Sequence, residues 1–500
     1  MAVIAGLAPV LGGSCSVVSA VNNEKCTSSA ECRASFGLLW QCSEDSGLCE
    51  EIELHARCQG LPNPATDALE NYPPDLFTSG TSHSDTIVIG TMFDQTPDVG
   101  DEVLIRAAEL AVKQANEERN GERGLDDRLF GVVHCRYDEA FAGDNLTEEE
   151  ATAEIAKFLA EDLGVVAIVG PGTSSTATVT YNTVKDAGTP IISPSATSES
   201  LTTIDGAAKS DSNPGQFWRT VGGDLQTGAT MAEVLVENGS SNVVVLHVDD
   251  EFGRGLAQTL QTSLAELGGQ AALYPYTNTA DVTSKTIDLE VLEWDELVFV
   301  AAAVEEVVAF IDAAGTRISM DAGSVYATRP LLLSDAASND SVISGTISTP
   351  GVKELFMAGL IRIVVPAADD STTTFSKFFA SMQSEYDLPA GAESYSAQTY
   401  DAAWMALYGV AWAQYQHDGD FSGDNIARGL RKLTAEGVAI TSVEPTNWEY
   451  VRGEFKAGRA INIQGATGDL DYDPVTEETQ TELAVKTIQQ VGEEWQIVDE

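Results

Sequence analysis

The segment VVAIVGPGTSSTATVTYNTVKDAGTPIISPSATSESL, residues 165–201, decides the fold. It opens on an apolar, β-branched run and turns at Gly170-Pro171-Gly172. It then passes through a hydroxyl-rich stretch to a second apolar run, Pro190-Ile191-Ile192, and a second turn, Ser193-Pro194-Ser195-Ala196-Thr197-Ser198. Continuous apolar runs are expected for strands buried on both faces of a parallel sheet. The spacing predicts strand, helix, strand, with each turn at the carboxyl end of a strand, where open α/β sheets bind ligands. Thr173, Ser174, Ser175 and Thr176 stand where the helix begins. Free backbone N–H groups and the helix dipole favour an anion there, and hydroxyls add donors. Any one of these residues also serves as an ordinary helix cap. Two such turns side by side favour a grip on a carboxylate or another polar group.

Outward from this segment the same alternation continues. Further strand candidates are IVIGTMF (87–93), VVVLHV (243–248), LVFVA (297–301) and RIVVP (362–366). Helix candidates are 102–117, 148–162, 224–237, 255–267, 374–386, 396–414 and 424–434. Strands alternating with helices of this length predict βαβ units in an open α/β fold. The pattern runs over about 400 residues, too many strands for one compact sheet, so two lobes are expected.

The whole chain has 500 residues, with 27 Lys+Arg against 77 Asp+Glu and a net charge of −50. Such a surface repels phosphate, which excludes a nucleic-acid partner, and it does not dock on an anionic membrane by charge. It suits salty water, where screening relaxes self-repulsion; drift in overall composition is the alternative. Hydrophobic residues at 43% supply a sizeable core and argue against disorder.

The N-terminal MAVIAGLAPVLGGSC carries a short apolar run and then small residues before Cys15. It has the look of a lipoprotein signal with Cys15 as the lipidation site, although a positive leading segment is missing. Cys26, Cys32, Cys42, Cys49, Cys58 and Cys135 follow. No Cys-x-x-Cys pair occurs, which disfavours zinc. A small disulfide-stapled module in an oxidising compartment is expected, with 15 connectivities open to six cysteines. Cys58 and Cys135 are candidates to tie that module to the main body. Residues 59–84, rich in Pro, Ser, Thr and Gly, have the composition of a linker.

Signatures of catalysis are missing. There is no Gly-x-Ser-x-Gly elbow, no phosphate loop ending in Gly-Lys-Ser/Thr and no His-Glu-x-x-His. The turn GPGTSST has Ser175 where a dinucleotide fingerprint needs its third glycine. No catalytic residue, metal or cofactor is therefore assigned.

The segment 165–201 resembles the first lobe of type I periplasmic solute-binding proteins, and specifically the branched-chain amino-acid-binding family of ABC importers. FWRTVGGDLQTGATMAEVLVENG (217–239) is similar to that family's first crossover, and VVVLHVDDEFGRGLAQTLQTSLAELGGQ (243–270) to the opening unit of its second lobe. NGERGLDDRLFGVVHCRYDEA (120–140), YSAQTYDAAWMALYGVAWAQ (395–414) and GATGDLDYD (465–473) fit in order, so the likeness spans about 85–500. It implies two Rossmann-like lobes joined by three crossing strands, with a ligand closed between them. The implied arrangement is a signal segment (1–15), a Cys-rich module (16–58), a linker (59–84), lobe 1 (85–217 and 363–474) and lobe 2 (218–362 and 475–500).

The resemblance also implies roles. Ser174, Ser195 and Thr197 would hold a ligand carboxylate. Phe252 would cover the ligand from the second lobe, Asp335 would pair with an α-ammonium, and Tyr395 would be an aromatic neighbour. Each has an ordinary alternative: core packing for Phe252 and Tyr395, a loop or cap role for Asp335. Where the family often carries a tyrosine this chain has Ala301, Ala302 and Ala303, and the first-loop aromatic has no counterpart around Gly100. Both departures bear on the ligand, which is expected to be an amino acid, an amide, a short peptide or an aromatic acid. The expected function is extracytoplasmic capture of that ligand for an ABC permease in the membrane, at the periplasm or cell surface. A sensor of the same fold acting on a partner protein is the alternative, and an extracytoplasmic enzyme a remote one.

Overall fold

Two sheets organise the chain. The computed structural model describes residues 25–63, 66, 68–78, 80–96, 101–388 and 394–500, and the lipidation candidate Cys15 lies outside them. The first sheet has five parallel strands in the order Phe130–Arg136, Ile87–Phe93, Ile168–Val169, Ile191–Ser193 and Phe217–Arg219. The second has seven, in the order Gln270–Tyr276, Asn242–Val248, Glu296–Val300, Leu331–Leu333, Ile361–Pro366, Leu483–Val491 and Glu494–Asp499. Its first five strands are parallel and the last two form an antiparallel hairpin added at the edge. Each sheet with its helices forms one lobe, as the βαβ pattern predicts.

The buried, continuously apolar strands match their sequence signal closely: Ile87–Phe93 is buried at every position. The run at 165–170 contributes only Ile168–Val169 to the ladder, because the helix before it ends in a wide turn, Phe158–Leu163, closed by left-handed Gly164. Val166 N–H still bonds Val88 O, so pairing with the neighbouring strand extends beyond the strand proper. The edge strand Gln270–Tyr276 and the terminal hairpin give no such signal, since much of their surface faces solvent.

The first lobe is built around the helix Ser396–Gln416, in which every residue from Ser396 to Ala413 is buried. It packs on the first sheet and is flanked by the helices Glu102–Ala115, Gly423–Leu430 and Trp448–Lys456. Gly409 permits the approach of Gly423–Leu430: a Cβ there would lie 2.7 Å from Ile426 Cγ2. Among the described residues no helix is long and apolar enough to cross a membrane.

The cysteines pair as Cys26–Cys42, Cys32–Cys49 and Cys58–Cys135. Cys58–Cys135 joins the N-terminal module to the strand Phe130–Arg136. Buried Arg57 reinforces that attachment with two bonds to Asp144, at 2.9 and 2.5 Å, and one to Asp138 O at 2.8 Å. In place of an unstructured connection, residues 59–84 include the short pair Leu61–Pro62 and Leu69–Glu70, and they bury Leu61 and Leu76 against the first lobe.

The chain crosses between the lobes three times, near residues 219–224, 366–373 and 470–483. The crossings brace one another. Gly222 N–H donates to Thr481 Oγ1 at 2.7 Å, and Ala367 N–H to Glu482 O at 2.8 Å.

Candidate functional site

The two hydroxyl-rich turns meet because their strands, Ile168–Val169 and Ile191–Ser193, are neighbours in the first sheet. Thr173 caps the helix Ser174–Val184, with its hydroxyl accepting from Thr176 N–H. Ser193 Oγ donates to Pro171 O at 2.7 Å and Ser195 Oγ to Gly172 O at 2.8 Å. Ser198 N–H donates back to Ser174 Oγ at 3.1 Å. Ser174 and Thr197 are buried, whereas Ser195 is half-buried. The turns therefore form one hydrogen-bonded cradle, and part of its hydroxyl capacity serves to hold the turns together.

Arg219, at the end of the last strand of the first sheet, fixes the second turn from behind. Its buried guanidinium donates to Ala196 O (3.3 Å), Ser198 O (3.0 Å) and Thr202 Oγ1 (2.8 Å). It also pairs with Glu478 on the third crossing, Nη2 to Oε1 at 2.6 Å. Thr197 is thus clamped between two carbonyls held by one fork of donors.

Asp335 lies just past the strand Leu331–Leu333 of the second sheet. Tyr395 Oη donates to Asp335 Oδ2 at 2.6 Å, so these two residues come together across the lobes. Tyr395 precedes the helix Ser396–Gln416 with φ at 68°, a left-handed conformation that costs energy for a bulky side chain. Burial raises the Asp335 pKa, and the Tyr395 hydroxyl opposes that shift. Phe252, the second residue of the helix Glu251–Glu266, is half-buried between two apolar clusters of the second lobe.

One residue of the site escapes the sequence reading. Asp224 starts the helix Asp224–Glu237, and its N–H donates to Thr197 O at 2.9 Å. Its side chain is buried, and neither carboxylate oxygen has a hydrogen-bond partner within 3.5 Å. Burial pushes its pKa up to about 7, with Asp335 and Glu199 adding to the rise and Thr197 and Arg219 opposing it. Arg219 has its ion pair with Glu478 instead. In the sequence GGDLQTG, Asp224 carries only the ordinary signal of an acid in the first turn of a helix.

Across the cleft from Ser174, Glu251 closes the gap between lobes. It accepts from Thr178 Oγ1 at 2.8 Å and from the Ser200 hydroxyl, both in the first lobe. At the triple alanine, Glu306 takes the space above the turn, accepting from Ala302 N–H, Ala303 N–H and Tyr276 Oη. The arrangement sets the buried carboxyl of Asp224 beside the hydroxyl cradle, where its N–H bonds Thr197 O, and the half-buried carboxyl of Asp335 on the second lobe. Unpaired buried charge is costly, and a cationic group between the carboxylates would relieve that cost.

Comparison with known proteins places the chain among ligand-binding regions. The family model described as "receptor family ligand binding region" matches residues 106–489. A chemotactic signal transduction system substrate-binding protein, BasB of Halobacterium salinarum, is 28% identical over 396 residues, covering 74% of this chain and 79% of BasB. The leucine-binding protein LivK of Thermotoga maritima superposes with a TM-score of 0.58 at 16% identity, covering 83% of this chain and 98% of LivK. A solute-binding protein of an R. palustris ABC transporter, solved with benzoate, gives a TM-score of 0.57 at 13% identity, covering 83% of this chain and 95% of its own. The fold is the type I periplasmic binding protein fold, as the resemblance implies.

Proposed function

From the premise that the chain belongs to the family described as the receptor family ligand binding region, we propose that it captures a small zwitterionic solute between its lobes. The ligand carboxylate meets the cradle of Ser174, Ser195 and Thr197. Its ammonium meets Asp335 and Asp224, and Phe252 and Tyr395 flank its body. The observation that carries this reading is two carboxyls that form no ion pair, the buried Asp224 beside the hydroxyl cradle and the half-buried Asp335 on the second lobe, close to a helix N-terminus lined with hydroxyls. No bond is broken; binding favours the closed state and a membrane partner reads that state. Three disulfides agree with a place outside the cytoplasm, at the periplasm or cell surface. Lipid anchoring through Cys15 belongs to the same proposal.

Two partners fit a closed binding protein. An ABC permease is the partner of solute-binding proteins with this fold. The likeness to BasB, a protein of a chemotactic system, favours a signal transducer as the second reading. A thermal-shift panel of amino acids, amides, short peptides and aromatic acids tests capture itself. A ligand at 100 times its Kd adds about 2.7 kcal/mol, or roughly 2–3 °C in Tm for a chain of 500 residues. Ser174→Ala and Asp335→Ala should each abolish the shift and leave the fold intact. No shift across the panel, or normal shifts in both variants, overturns the proposal.

A further inference from the structure

Asn145-Leu146-Thr147 is one of three N-x-S/T sequences in the chain; the others are Asn238-Gly239-Ser240 and Asn339-Asp340-Ser341. In an extracytoplasmic protein such a sequence accepts an N-linked glycan where it lies in a surface loop. The fold separates the three. Asn145 lies in the loop that enters the helix Glu148–Lys157. Its two neighbours are held inward: Asp144 accepts two bonds from buried Arg57, and Leu146 packs against the apolar cluster that contains Cys58 and Cys135. The Asn145 side chain between them is exposed and makes no hydrogen bond among the described residues. Thr147, the hydroxyl residue of the sequence, is exposed as well.

Asn238 and Asn339 are engaged. Asn238 Nδ2 donates to both oxygens of Glu296, at 3.2 and 3.1 Å, and Glu296 is fully buried. A sugar on that nitrogen would take a donor from a buried carboxylate and would need room beside it. Asn339 is half-buried, and its Oδ1 accepts from Ser341 N–H at 2.8 Å as the cap of the helix Asp340–Thr346. A sugar there would disturb the cap and crowd the turn that carries Asp335.

We propose that Asn145 is a site of N-glycosylation, and that Asn238 and Asn339 are not. The inference rests on the extracytoplasmic reading above and on no part of the ligand site. The donor is an oligosaccharide joined through its anomeric carbon to a lipid phosphate, and a membrane transferase carries out the exchange. The new bond joins Asn145 Nδ2 to the anomeric carbon. The bond from that carbon to the phosphate oxygen breaks, and the lipid phosphate leaves with the electron pair. One amide proton passes to a base of the transferase. The glycan then stands beside the Arg57–Asp144 pair, at the join between the Cys-rich module and the first lobe.

The test is mass spectrometry of the full-length protein isolated from fractionated cells that make it. Trypsin cuts after Arg136 and Lys157, so the peptide 137–157 holds Asn145 and no other asparagine. That peptide should carry a glycan mass in most molecules, with Asn238 and Asn339 bare. Asn145→Gln and Thr147→Ala should each remove the whole increment, and Thr147→Ser should keep it, with circular dichroism confirming a folded protein. Asn145→Gln decides the matter should Thr147→Ala, which loses a helix cap, fail to fold. A bare 137–157 peptide in protein found outside the cytoplasm overturns the site and leaves the location standing. So does a glycan on Asn238 or Asn339 in place of Asn145, or one that persists in Asn145→Gln. Protein confined to the cytoplasm overturns the extracytoplasmic reading, and the site falls with it.

Discussion

Replacing Asp224 by asparagine should make the empty protein more stable and the ligand response weaker. Burial raises the Asp224 pKa from the ordinary 3.8 to about 7. The folded chain therefore holds this proton more tightly than the unfolded chain. Stability from the group is fully present below about pH 4 and is lost as pH rises to about 7, as the unfolded state ionises first. The difference of roughly three pKa units corresponds to about 4 kcal/mol, missing at pH 8 and present at pH 4. The amide of the Asp224→Asn variant stays neutral throughout and has nearly the same shape. At pH 8 the variant should melt higher by about 2–3 °C, discounting part of the gain for an amide that also lacks partners. Near pH 4 the two proteins should melt within about 1 °C of each other. Asp335 shifts in the same direction and steepens the wild-type slope; because the two carboxyls repel each other, the difference between variant and wild type includes the relief of Asp335. Binding of a cationic head group at pH 6 should release close to one proton, measurable by calorimetry in buffers of different ionisation enthalpy. A variant that loses stability at pH 8 and keeps the full ligand shift would refute the reasoning. Asp224 would then be a helix-start acid, worth about 0.3–1 kcal/mol, and nothing more.

Three other perturbations have defined outcomes. Glu251→Ala removes two hydrogen bonds between lobes, and affinity should drop about tenfold while the small-angle scattering radius of the ligand-saturated protein grows toward the open form. Arg219→Met leaves Glu478 without its partner and frees the carbonyls of Ala196 and Ser198; chemical denaturation should show a loss of about 3–5 kcal/mol. Cys58→Ser with Cys135→Ser opens a link spanning 77 residues, which should cost about 4 kcal/mol in denaturant and leave ligand Kd unchanged, because both cysteines are buried in an apolar cluster that includes none of the proposed ligand contacts.

The fold was legible where burial on both faces writes a continuous apolar run, as in Ile87–Phe93 and Asn242–Val248. The meeting of the two hydroxyl turns was legible for the same reason, since parallel strands place their carboxyl ends side by side. The pairing of Asp335 with Tyr395 was not, because it joins residues 60 apart from different lobes. Asp224 was hidden more deeply. An acid in the first turn of a helix is common, and only the closed cleft removes its water and leaves both oxygens without partners. Arg219 shows the same limit: its role depends on carbonyls of the neighbouring turn and on Glu478, 259 residues away. The acidity of the chain also takes on a local meaning. Most of the charge of −50 is surface, but Asp224 and Asp335 are carboxyls whose burial favours the neutral form, so they add little to that charge in the empty protein.

Titration of the protein with a zwitterionic amino acid that binds, alongside its methyl ester and its N-acetyl derivative, tests the central claim most directly. The ester removes the charge meant for the Ser174–Thr197 cradle, and acetylation removes the charge meant for Asp224 and Asp335. Each should weaken binding at least a hundredfold relative to the parent. If either derivative binds within about threefold of the parent amino acid, the cleft does not grip a zwitterion as described.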